Sequence, residues 1–247
     1  MKSLRFLSAL WMAMAAVLML TPNLVFSEES SFRVFEKSFN PKGSGYKYLL
    51  YQPKEYEQQE NWPLLIILHG AGTRGDNLAK LKKHTPIQYV VRDGKLPFIV
   101  AAPLCPARKK WESALLSEFL DELLRRNSID PDRVYLTGIS MGGFGSFQFA
   151  KDYPDRLAAV APVCGGGKPE WAETLRQLPV WAFHGAKDRV VPLRSSENLM
   201  KELKRITANE ARYTVFPNSG HDIWNKAYNN PELYEWFLSH NKSTNKG

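Results

Sequence analysis

The chain has 247 residues, 44% of them hydrophobic and 23% charged, a composition that excludes disordered and fibrous classes and allows one large buried core. Two cysteines are too few for a disulfide-stapled scaffold. The net charge of +8 raises nucleic acid or an anionic surface as a partner, but the basic residues fall in short, scattered groups such as Lys80/Lys82/Lys83 and Arg108 to Lys110. That is the pattern of solvated faces, and no nucleic-acid partner is expected.

At the N-terminus Lys2 and Arg5 precede an apolar run over residues 6–20, interrupted by Ser8, and the small residue Ser27 stands before Glu28. This is the layout of a signal peptide. The run is shorter than the roughly 20 residues needed to span a bilayer. The expected organisation is therefore a leader over residues 1–27 and one domain over residues 28–247. After cleavage no stable membrane span remains, and the protein works in a secreted or periplasmic location.

Along the remaining chain, short runs of β-branched and aromatic residues alternate with longer amphipathic stretches, which predicts an α/β fold. Strands are expected at residues 46–51, 64–68, 98–102, 134–138, 157–161, 180–183 and 213–216. Helices are expected at 76–83, 112–126, 141–151, 171–177, 195–205 and 231–240. The run LLIIL at 64–68 has no polar alternation, as in a central parallel strand covered on both faces; edge strands belong to the early region. Pro231 suits a first helical position, Ser113 or Ser195 could cap the helix that follows each, and Asp130-Pro131-Asp132 reads as a turn into a strand.

The strand expected at 134–138 runs into Gly138-Ile139-Ser140-Met141-Gly142 and then into a helix. This is G-x-S-x-G in a strand–turn–helix context, where a tight turn pushes the serine out beside a helix N-terminus and larger flanking side chains would collide. A serine hydroxyl needs a base, and the base needs an orienting carboxylate, in the order Ser, Asp/Glu, His. Asp188, in HGAKD after the strand at 180–183, and His221, in NSGHD after the strand at 213–216, both fall in post-strand loops on the same sheet edge as Ser140. Asp222 is a poorer acid because it adjoins His221 in sequence, and Asp152 and Asp155 fit better at the end of the serine's helix. An oxyanion hole needs one N–H from the residue after the serine, Met141, and another from an earlier post-strand loop. In His69-Gly70-Ala71-Gly72 the preferred donor is Ala71.

With these segments in place, HGAGTRGDN, GISMGGFG, HGAKD and SGHDIW together resemble the α/β-hydrolase superfamily, in its bacterial carboxylesterase and prolyl-oligopeptidase-like branch. The resemblance covers nearly all of the chain after the leader. It implies an α/β-hydrolase fold, with a mostly parallel central sheet and helices on both faces. It also implies Ser140 as nucleophile, His221 as base then acid, and Asp188 as orienting carboxylate. The branch includes single-domain secreted esterases and neighbours acting on feruloyl or acetyl groups of polysaccharides.

The short interval from Gly165 to Val180 leaves no room for a large cap domain, so an open site is expected, suited to small or polymer-attached ester substrates. Trp111 and Trp224 either pack in the core or line an acyl pocket, with Trp224 the better placed because it follows His221 by three residues. His69 and His184 read as residues that shape their loops, without metal-like neighbours. No metal-ligand spacing or P-loop is present, so no metal and no cofactor are expected. Cys105 and Cys164 follow strands that this fold sets three spacings apart, roughly 14 Å, against the 7 Å limit for bridged Cα atoms. A peptidase with the same three residues and a catalytically silent glycan- or lipid-binding module are the alternatives to a serine esterase.

Overall fold

Leu64, Leu65, Ile66, Ile67 and Leu68 are all buried, and the strand that contains them lies at the centre of the molecule. The computed structural model describes residues 32–43, 45–83, 86–91, 96–206 and 210–243; the leader expected over residues 1–27 lies outside them. In chain order the elements are β1 (Phe32–Phe39), β2 (Tyr46–Pro53), β3 (Trp62–Leu68), α1 (Ala79–Lys83), α2 (Ile87–Val90), β4 (Ile99–Leu104), α3 (Ser113–Arg126) and β5 (Ile129–Ile139). They continue with α4 (Met141–Asp152), β6 (Ala159–Val163), α5 (Ala172–Leu175), β7 (Val180–Gly185), α6 (Arg194–Ile206), β8 (Ala211–Phe216), α7 (Trp224–Tyr228) and α8 (Pro231–Leu238).

The strands form one sheet in the order β1-β2-β4-β3-β5-β6-β7-β8. β2 runs antiparallel to β1 and β4, and the remaining neighbours pair in parallel. β3 sends Leu64, Ile66 and Leu68 to a core shared with α3, α4, α5 and α6. Leu65 and Ile67 enter a second core with α1, α2, α7 and α8. Two buried faces explain the unbroken apolar run, each buried leucine or isoleucine contributing about 2 kcal/mol. Between β6 and β7 the chain has room only for a 3-10 turn at Pro169–Trp171 and the one-turn α5, so no large cap is inserted there.

Several expectations need correction. β1 carried no strand signal because between its buried ends, Phe32 and Phe39, most side chains face solvent; the ladder to β2 holds it in place. Asp130-Pro131-Asp132 lies inside β5 and not ahead of it, at an irregularity where pairing passes from Trp62↔Ile129 to Leu64↔Val134. The turn chemistry is nevertheless present: the Asp132 N–H donates to Asp130 Oδ1 at 2.9 Å, and Pro131, lacking an N–H, is tolerated at the break in the ladder. Ser113 and Ser195 do not cap. Each is already helical, and α3 begins after Glu112 with no side-chain cap. At α8 a side-chain cap is present: Asn230 accepts from the Glu232 N–H, with Pro231 at the first helical position as expected.

Candidate active site

β3 through β8 all run in one direction, so the loops after β3, β5, β7 and β8 gather at one edge. At the end of β5, Ser140 takes φ +52° and ψ −114°, a positive-φ conformation outside the favoured wells that costs a side-chain-bearing residue about 1–3 kcal/mol. Its N–H donates to Val163 O on β6 at 2.9 Å, pinning the turn to the sheet. The flanking glycines are required by contact: a Cβ on Gly142 would stand 2.1 Å from Leu68 O, and one on Gly138 2.6 Å from Gly142 O.

The structure brings Ser140, His221 and Asp188 into one line. His221 Nε2 lies 2.9 Å from Ser140 Oγ, and His221 Nδ1–H donates to Asp188 Oδ2 at 2.7 Å. The other oxygen of Asp188 accepts the N–H groups of Val190 at 2.8 Å and Val191 at 2.9 Å. Burial alone would raise the Asp188 pKa, but the hydrogen bonds from His221, Val191 and Val190 outweigh it and hold the carboxyl below the usual range. Asp222 is exposed, Asp152 ends α4 where Gln148 donates to it, and Asp155 sits in the following 3-10 turn.

The loop after β3 lies beside the serine: the space above Gly70 is bounded by Ile139 and by Ser140 Cβ at 3.6 Å. His69 sets its orientation. Its Nε2 accepts the Cys105 N–H at 3.0 Å, which leaves the ring proton on Nδ1 to donate to Gly70 O at 2.7 Å. In a trans peptide the C=O and the following N–H point in opposite directions, so pinning Gly70 O turns the Ala71 N–H away from His69. Burial pushes His69 down to about 4, with Arg74 reinforcing the effect and the bond to Gly70 opposing it, so the imidazole is neutral at pH 7. Met141 is the first residue of α4, where an N–H lacks an intrahelical acceptor.

Two buried groups stand behind this line. His184 Nε2–H donates to Val191 O at 2.9 Å and lies 3.3 Å from Asp188 Oδ2, while Nδ1 pairs with the Ser196 hydroxyl at 2.7 Å. Cys164, at φ +47°, donates its thiol to His221 O at 3.2 Å. Burial, helped by Asp188, pushes that thiol up to about 12, so it stays protonated. His184 thus does have metal-like neighbours, contrary to the sequence reading: ligand atoms of Cys164, His184 and Asp188 lie within 4.8 Å of one another. Each is already engaged in the hydrogen bonds just described. Cys105 and Cys164 are buried and unbridged, on strand ends three spacings apart.

A cavity of about 480 Å³ opens beside Ser140, walled by Trp111, Met141, Phe144 and Trp171, with Gln148 and Lys110 as its polar residues. Trp111 is fixed by its indole N–H, which donates to His69 O at 3.1 Å. The order expected for the two tryptophans is reversed. Trp224 packs edge-on against the His221 ring at 6.0 Å and is not among the residues lining this cavity. Phe144 and Gln148 were missed, although they stand four and eight residues after Ser140 on α4 and so share its helical face. Phe144, 41% exposed, is an apolar helical residue without a core role, the signal that could have found it.

Residues 105–244 match the model of the dienelactone hydrolase family; the chain belongs to that family, within the α/β-hydrolase superfamily. It is 25% identical over 205 residues, 79% of its length, to a bifunctional acetylxylan esterase/xylanase of Neocallimastix patriciarum. It is 41% identical over 117 residues, 43% of its length, to poly(3-hydroxyalkanoate) depolymerase C of Paucimonas lemoignei. The matched region spans 28% of each of these relatives. A thermostable esterase of known structure superposes with a TM-score of 0.71 at 29% identity, covering 85% of this chain and 63% of that one. Among the described residues no helix is long and apolar enough to cross a membrane.

Proposed function

We propose that this protein is an exported serine hydrolase that cleaves carboxylic esters through an acyl-enzyme. The observation that carries the reading is the unbroken contact from Asp188 Oδ2 through His221 to Ser140 Oγ, at 2.7 and 2.9 Å, beside a loop whose peptide plane is fixed by His69. In this reading the Ser140 hydroxyl passes its proton to His221 Nε2 as Oγ attacks the ester carbonyl. The negative charge that develops on the carbonyl oxygen is met by the N–H groups of Ala71 and Met141. Asp188 keeps the His221 proton on Nδ1, so that Nε2 is free to accept, and it balances the imidazolium that forms. Collapse of the tetrahedral intermediate breaks the bond to the alcohol, which leaves with the proton from His221. A water then gives its proton to the same nitrogen and attacks the acyl-enzyme, and as the second tetrahedral intermediate collapses the bond to Oγ breaks, Oγ takes the proton back from His221 and the acid is released.

The aromatic walls beside Ser140 suit a planar acyl group and the open site suits esters carried on a polymer, which supports acetyl or feruloyl esters of polysaccharides as substrates. The names of an acetylxylan esterase and a feruloyl esterase among the relatives agree with this. The leader over residues 1–27 supports export, with residues 28–247 forming the catalytic domain.

A fluorophosphonate probe, followed by mapping of the adduct by mass spectrometry, tests the chemistry. The expected result is one adduct at Ser140, lost in His221→Ala, together with turnover of acetyl and feruloyl esters in preference to peptide amides. A folded protein that takes no adduct and turns over no ester would overturn the reading.

A further inference from the structure

The surface beside the aromatic cavity continues into a groove of about 400 Å³, and Lys110 borders both. The groove lies between the start of β2, with Tyr46 and Lys47, and the loop after β4, with Pro106, Lys109 and Lys110. Three lysines line it against one carboxylate, Glu112. A further depression shares Ser38 and Lys47 with it, but there Glu36 and Asp76 balance Lys37 and Lys47, so the basic stretch ends at Lys47. Lys47 donates to Asp76 O at 3.0 Å. The ammonium groups of Lys109 and Lys110 have no partner among the described residues.

The position of these lysines relative to Ser140 is built in. Arg108 takes φ +63°, and the Lys109 N–H closes a turn onto Pro106 O at 3.2 Å. The Arg74 guanidinium donates to Lys109 O at 3.2 Å and to Ala71 O at 3.0 Å. One side chain thus ties the basic loop to the candidate oxyanion loop. Tyr46 also lines the groove, with its hydroxyl buried beside the Glu112 backbone.

We propose that this groove binds a carboxylate-bearing polysaccharide, a uronate-containing chain whose acylated sugar is presented to Ser140. The proposal rests on the esterase reading for its chemistry. Three ammonium groups along a groove that meets the Ser140 cavity at Lys110 favour an anionic polymer over a compact anion. Among such polymers a uronate glycan carries both carboxylates and the acylated hydroxyls that an esterase needs. Screening at physiological salt limits each ammonium to about 8 Å, so only a chain lying in the groove gains from all three.

The test compares turnover of acetylated polygalacturonate and acetylated xylan, each expressed as a ratio to 4-nitrophenyl acetate in the same protein. A second arm measures binding of unesterified polygalacturonate to Ser140→Ala by calorimetry. The wild-type protein should favour the carboxylated polymer, and the preference should fall with rising salt. In Lys47→Glu/Lys109→Glu it should fall by about tenfold, the sum of two modest surface charge contacts and their reversal. Single Lys→Gln variants serve if the double variant does not fold. Equal use of both polymers, with no binding of polygalacturonate, overturns the groove and leaves the esterase reading standing. Binding of polygalacturonate by a protein that hydrolyses no ester overturns the esterase reading and leaves the groove standing.

Discussion

His221 and His184 converge on one oxygen of Asp188: Oδ2 accepts from His221 Nδ1 at 2.7 Å and lies 3.3 Å from His184 Nε2. His184 is fully buried. It is held by Val191 O on one side and on the other by Ser196, whose hydroxyl in turn meets Tyr213 OH at 2.8 Å. Its Nε2–H therefore points at the carboxylate from a fixed direction, and in the proposed reaction His184 serves as a positioning residue for the Asp188–His221 pair.

His184→Gln should lower kcat on the order of tenfold with little change in KM, the loss expected when one hydrogen-bonding contact to a charged group is weakened. The low-field proton resonance of the His221–Asp188 hydrogen bond should move at the same time. A variant with lowered activity and an unmoved resonance would mark His184 as structural only.

Stability should fall on mild acidification because His69 is held neutral. Its folded pKa, about 4, lies below the ordinary imidazole value of about 6.5. Between those values the unfolded chain binds the proton that the folded one refuses, so stability rises with pH across this window and is lost as pH falls through it. From pH 7 to pH 5 this single residue accounts for about 2 kcal/mol. Asp188 acts in a lower range: its depressed folded pKa gives stability present above the ordinary carboxylate value and lost only as pH falls through the folded one. Denaturant unfolding at the two pH values measures the first effect, and His69→Gln should flatten the slope. An unchanged slope in that variant would assign the acid sensitivity elsewhere.

The parts of the fold legible in the sequence were those where local chemistry and tertiary role coincide. LLIIL at 64–68 is unbroken because both faces of β3 are buried, and Gly138 and Gly142 flank Ser140 because no Cβ fits at Gly142 against Leu68 O or at Gly138 against Gly142 O. β1 was illegible because its neighbour's backbone, and not its own apolar side chains, holds it. Trp224 was favoured over Trp111 by nearness in sequence to His221. The cavity is instead built on α4 and the loop after β4, where Phe144 and Trp111 meet only through the fold. The contact of His184 with Asp188 was likewise invisible, since HGAKD gives the spacing of the two residues and not the bend that brings them together.

Phe144 tests the acyl pocket with little risk to folding, since it is 41% exposed. Removing its ring opens the cavity between Trp111 and Trp171, taking away one aromatic contact worth about 1 kcal/mol. In Phe144→Ala the ratio of kcat/KM for a feruloyl ester to that for an acetyl ester should therefore drop by about fivefold. An unchanged ratio would place the acyl group elsewhere in the cleft.

Asp188→Asn separates charge from shape. Two backbone N–H groups, from Val190 and Val191, point at Oδ1, and an amide NH2 cannot accept them, so the asparagine oxygen takes that position. The NH2 then faces His221 Nδ1, which must become an acceptor, and the ring proton moves to Nε2, against Ser140 Oγ. A neutral imidazole in that tautomer cannot receive the serine proton. Loss of kcat should be about 10⁴-fold, with substrate binding near that of the unaltered protein. Single-turnover kinetics, together with nitrogen NMR of His221, measure both halves of the argument. A variant that retains most of its rate would show that Asp188 does not set the tautomer of His221.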